Sequence, residues 1–105
     1  MKVVDLATLR AMPIGTLFQK TEPNCLYGIE MFEGPVGDLD FCSTHLDSLV
    51  DFHAIGNMID LGTSEPIDLE SVTRDACHDA EQKFAVWEKD DLRALMARLQ
   101  KLIDA

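Results

Sequence analysis

The chain has 105 residues, of which 47% are hydrophobic, and 19 acidic against nine basic residues give it a formal charge of −10 at pH 7. This apolar content fills one core without a metal or a disulfide staple, so the expectation is one domain over residues 1–105. The acidity argues against direct nucleic-acid binding and against adhesion to anionic lipid, both of which need clustered Lys and Arg, and favours basic partners.

No stretch approaches the ~20 apolar residues needed to cross a bilayer, and Met1–Leu6 lacks the long apolar run of a secretory leader. Three cysteines, Cys25, Cys42 and Cys77, are odd in number and irregular in spacing, which fits reduced thiols better than a disulfide framework. A cytoplasmic chain without a cofactor is expected.

In chain order, Leu6, Leu9 and Met12 share one side of a short helix that Asp5 caps and Pro13 ends. Thr16–Glu22 reads as a β-strand stopped by Pro23-Asn24. Leu26–Phe32 reads as a second strand ending at a Glu33-Gly34-Pro35-Val36-Gly37 turn. Leu39–Cys42 is a candidate third strand. Thr44–His53 is ambiguous, because Thr44 and Asp47 resemble a capping box and Leu46, Leu49 and Val50 have helical spacing. Ile55–Leu61 and Ile67–Val72 are read as short strands separated by Gly62-Thr63-Ser64-Glu65-Pro66, and Lys83–Glu88 as a central strand apolar on both faces.

The period then changes. Leu92, Leu95, Met96, Leu99, Leu102 and Ile103 form one stripe of a helix of about four turns, with Asp90 and Asp91 at its N-terminal end and Arg98 and Lys101 towards its C-terminal end. The expected fold is α+β, a small antiparallel sheet of about four to six strands with a short N-terminal helix and the C-terminal helix packed on it. That stripe covers the chain's own sheet or, in addition, builds a homodimer seam.

Catalytic and metal motifs are weak. Cys42 and His45 have two-residue ligand spacing, and Cys25, Cys77 and His78 are the residues available to complete a zinc site, but a strong signature needs two paired motifs. The His78-Asp79 pair lacks the other ligands of a metal phosphohydrolase, and Asp38 and Asp40, beside Gly37, read as an exposed strand edge. There is no phosphate-binding loop and no serine elbow. A non-enzymatic chain is expected.

One feature departs from ordinary composition. Between Lys20 and Arg74 there is no Lys or Arg, while eleven Asp and Glu residues fall inside. Such a field repels itself and is tolerable where it attracts a basic partner, for example by imitating a phosphate array. The partner-binding candidates are Glu30, Glu33, Asp38, Asp40, Asp47 and Asp51, the first four of which bracket the predicted Gly34–Gly37 tip. Phe32, Phe41, Leu49 and Phe52 are read as mostly core, with one or two serving as apolar anchors.

Two stretches, Met12–Phe18 and Gln82–Leu95, resemble a loose group of small uncharacterised accessory proteins of tailed bacteriophages and prophages. The resemblance implies a setting in which small acidic proteins inhibit host machinery, as anti-CRISPR proteins and other DNA mimics do. The leading expectation is therefore a non-enzymatic inhibitor whose acidic face occupies a basic, nucleic-acid-binding host protein or complex. The alternatives are a small-molecule binder of the nucleotide-signal kind and a metal-dependent enzyme using Cys42, His45 or His78.

Overall fold

The structure is a computed structural model describing residues 1–105. Its elements are β1 (Lys2–Val4), α1 (Leu6–Arg10), β2 (Leu17–Glu22), β3 (Cys25–Leu26), β4 (Glu30–Val36), β5 (Asp40–His45), α2 (Phe52–Leu61), β6 (Thr73–Arg74), β7 (Phe84–Val86) and α3 (Lys89–Ile103). The expected α+β class with an antiparallel sheet, a short N-terminal helix and a C-terminal helix is what forms. The sheet has seven strands in the order β1-β7-β2-β4-β5-β6, with β3 paired to β2.

One face of the sheet builds the core. Directly opposed residues share a face, so the pairings Phe18 with Glu30, Phe32 with Ser43, and Lys20 with Phe84 place all six on the same side. Phe18, Phe41 and Phe84 meet edge to face at centroid distances of 5.5, 5.7 and 5.8 Å, and Phe32 lies 6.1 Å from Phe41. Helix α1 closes this face with Leu6 and Leu9, both buried. It starts where the Asp5 carboxylate accepts from Thr8 N–H at 2.8 Å, as its sequence signals.

Several boundaries differ from the sequence reading. Strand β4 continues through Gly34 and Pro35 instead of turning there, with a bulge between Phe32 and Gly34 at which Gly34 takes φ +117°. Proline is tolerated because β2 pairs with β4 only at Glu30 and Met31, so Pro35 has no neighbour requiring its missing N–H. The hairpin tip is thus Gly37–Leu39. Residues 55–61, read as a strand, belong to helix α2. Its N-terminus is capped by Asp51, which accepts from Ala54 N–H at 2.8 Å, and its C-terminus by Gly62 in the left-handed region. Residues 67–72 form no strand, and only Thr73–Arg74 join the sheet edge beside β5.

Helix α3 begins at Lys89 behind an N-cap at Glu88, whose N–H donates to the Asp91 carboxylate at 2.7 Å in a capping box. None of its residues is buried, and none of α2's is either. The apolar stripe on which the sequence reading packs α3 against the sheet is largely open, with Leu95 37%, Leu99 47% and Leu102 73% exposed. No helix is long and apolar enough to cross a membrane.

Candidate functional site

The six acidic candidates fall into two groups. Glu30 and Asp40 are buried at 2% and 6% exposure, so neither belongs to a surface field, contrary to the sequence reading. Asp40 sits where the β4–β5 hairpin meets the segment after β6. It accepts from Phe41 N–H at 2.9 Å and Cys77 N–H at 2.8 Å, and pairs with the Arg74 guanidinium. Burial works against its charge, but these donors outweigh that and hold the carboxyl at about 2, below its ordinary 3.8. It is a fastener between strands.

Glu30 accepts from the Ser43 hydroxyl at 2.9 Å and lies 3.4 Å from His45 Nε2. Burial pushes its carboxyl above the ordinary value, and the Ser43 hydrogen bond and the Lys20 charge offset this only in part. Lys20 is itself engaged by Asp75 at 2.5 Å. This polar group at one end of the core face is satisfied from within. Glu33 is half-buried and accepts from the Thr44 hydroxyl at 3.1 Å. Asp38, Asp47 and Asp51 are exposed. Asp38 lies at the hairpin tip, where Arg10 donates to its carbonyl at 2.6 Å, whereas Asp51 caps α2. Of the four expected to bracket one exposed tip, only Asp38 is exposed there.

The metal and nucleophile candidates are also separated. Cys42 and His45 are three residues apart on β5 and so point to opposite faces of the sheet. Cys77 packs at the margin of the core, while Cys25 and His78 are exposed, and no three His, Cys, Asp or Glu side chains are arranged to hold an ion.

The surface that does stand out runs from Leu46 to Val72, comprising the link to α2, the helix and the segment after it. Of the anchor candidates, Phe32 and Phe41 are fully buried in the core, but Phe52 is 92% exposed. Phe52 is joined by Ile55, Met58, Ile59, Leu61, Ile67, Leu69 and Val72, all exposed. The sequence reading missed these seven as surface residues by assigning them to strands. Their signal was available in the density of large apolar residues with no clear strand alternation to bury them.

Within this limb a groove of about 450 Å³ opens between the first turn of α2 and the segment 65–71, lined by Val50, Phe52, Ile55 and Pro66 and bordered by Asp51, Glu65 and Asp68. Asp68 N–H donates to Leu49 carbonyl at 2.8 Å and holds the two walls together. The limb carries six acids, Asp47, Asp51, Asp60, Glu65, Asp68 and Glu70, and no Lys or Arg. Its chemistry is an apolar floor with a carboxylate rim. No family model matches the chain, and neither a curated protein nor a solved structure matches it.

Proposed function

We propose that the chain is a non-enzymatic interaction protein that docks onto a basic host protein or complex through the limb formed by residues 46–72. The observation that carries this reading is the coincidence, on one limb, of eight exposed large apolar side chains with six carboxylates unopposed by any Lys or Arg. Eight large apolar side chains left open on one short limb exceed the scattered surface hydrophobics of an ordinary monomer, and with an acidic surround they are complementary to a basic surface with an apolar centre.

In this reading Phe52 and Ile59 are the anchors and the carboxylates steer. Basic surfaces of that kind commonly bind nucleic-acid phosphates, and a carboxylate array competes for the same site. The resemblance of residues 12–18 and 82–95 to phage accessory proteins points the same way, towards inhibition of host nucleic-acid machinery. A phosphorylated small ligand fits the groove less well, since no cation there can pair with phosphate.

The test is capture from host lysate at low and high salt by the native chain and by a Phe52→Ala, Ile59→Ala variant. The expected partner is basic, is released by salt and by competing DNA, and escapes the variant. Capture indifferent to salt, DNA and both substitutions would overturn the reading.

A further inference from the structure

Helix α3 is 15 residues, about 22 Å long at ~1.5 Å per residue, and its apolar stripe points away from any cover. Leu92 is half-buried, but Leu95, Met96, Leu99, Leu102 and Ile103 are between 37% and 74% exposed. The shape of the whole chain reflects this. It exposes 7404 Å², where a folded monomer of its mass exposes about 5,900 Å². Its radius of gyration is 15.7 Å, where a compact chain of this length has about 13 Å. The excess, about 1,500 Å², is close to twice the ~800 Å² that one partner loses in an interface of standard size. There is area for one interface on the 46–72 limb and for a second on α3.

Charge selects the occupant of the second. From Lys89 to the end, four bases (Lys89, Arg93, Arg98, Lys101) stand against three acids (Asp90, Asp91, Asp104), so α3 is almost neutral in a chain of net charge −10. A strongly basic partner is drawn to the acidic 46–72 limb rather than to a helix that carries Arg98 and Lys101. Two copies of the chain avoid bringing their carboxylates together only by meeting on this balanced helix. The acids of α3 lie in its first turn and Lys101 in its last. An antiparallel crossing centred near Met96 therefore opposes the two helix dipoles and lays the acid-bearing first turn of one copy beside the last turn of the other.

We propose that the chain forms a two-fold homodimer through the apolar stripe of α3, packed antiparallel against the same stripe of a second copy. The inference is independent of what the 46–72 limb binds.

Sedimentation of the full chain across a concentration series tests it, with an expected mass of about 23 kDa, twice the chain's 11.7 kDa. Leu99→Glu is expected to weaken the dimer by about 100-fold or more while leaving a folded monomer with the native near-ultraviolet signal of Trp87. Ile59→Glu on the other helix is expected to leave the dimer intact. A native chain monomeric at ~100 µM, well above typical affinities, would overturn the proposal. So would a Leu99→Glu chain that stays dimeric, or a Leu99→Glu monomer that unfolds because the stripe is internal core.

Discussion

Helices α2 and α3 pose the same apolar question in opposite electrical settings. Both are amphipathic, both are capped at their N-termini by an acidic residue, and neither has a buried residue. Around α2 every formal side-chain charge between Leu46 and Val72 is negative, whereas α3 carries both signs, with acids in its first turn and Lys101 in its last. Exposed leucines and isoleucines alone do not say what, if anything, covers them. The neighbouring charges separate the two proposals, a basic surface at α2 and a second copy of the chain at α3.

The comparison breaks most visibly at α3. If its stripe were intramolecular core, Leu95→Asp would destabilise the fold by several kcal/mol, which is the expectation from periodicity alone. With Leu95 37% exposed, the expected outcome is different: the isolated subunit loses less than ~1 kcal/mol and the dimer is abolished. The native melting temperature then rises with protein concentration and that of the variant does not, which calorimetry at two concentrations checks.

The next effect is at α2. Phe52→Ala removes a side chain that is 92% exposed, so chemical denaturation is expected to show a change within about 0.5 kcal/mol. Binding of the captured partner is expected to weaken by about 2 kcal/mol or more, chiefly through faster dissociation, because a central aromatic anchor is lost. A matching loss of stability would move Phe52 from the interface into the fold and leave α2 and α3 with different roles from those proposed.

A smaller effect comes from the rim. Neutralising Asp47, Asp60 and Glu70 together is expected to slow association several-fold and to flatten its salt dependence, with dissociation little changed. Glu30→Gln serves as the control, since Glu30 is buried in the sheet and contributes no surface charge. Stopped-flow mixing at several salt concentrations distinguishes the two. Equal slowing by both would show that overall charge, not the limb, steers the partner.

The elements that were legible in the sequence are those whose signals are local. Asp5 and Pro13 bracket α1, the Thr16–Glu22 run contains β2, and the repeat from Leu92 to Ile103 marks α3. What was not legible depends on distant residues. Strand β4 passes through Gly34 and Pro35 because β5 pairs with it across a bulge. Glu30 and Asp40 are drawn inside by Ser43, Arg74 and Cys77, and the last two lie more than 30 residues beyond Asp40. Helix α2 was obscured by the β-prone look of Ile55 and Ile59, while its true limits rest on the Asp51 cap and on Gly62 adopting φ +67°. Periodicity also fixed that α3 has an apolar face without fixing what that face meets, so the candidate site was half legible. The acidic segment was visible, and its division into inward fasteners and an outward rim was not.

That division yields the smallest and most discriminating effect, in the pH dependence of stability. Asp40 has its carboxyl held at about 2 instead of 3.8, so its contribution to stability is complete above 3.8 and is lost as pH falls from there towards 2. Glu30 acts with the opposite sign. Burial raises its carboxyl above the ordinary 4.5, so the folded chain holds that proton more tightly than the unfolded chain does. Its ionisation therefore penalises the fold in full above the raised value, and the penalty is relieved as pH falls towards 4.5. Glu30→Gln keeps an acceptor for the Ser43 hydroxyl and removes the charge, so a modest rise in the neutral-pH melting temperature is expected, with loss of the rise in stability on mild acidification. Asp40→Asn is expected to lower stability at neutral pH and to remove the sensitivity below 3.8, since the Arg74 pairing no longer depends on a proton. Urea titrations at steps between pH 3 and pH 7 follow both. If instead the Glu30→Gln chain were less stable at pH 7 and kept the native pH profile, Glu30 would be a favourable charge in the sheet, and the line between fastening acids and steering acids would have to be drawn elsewhere.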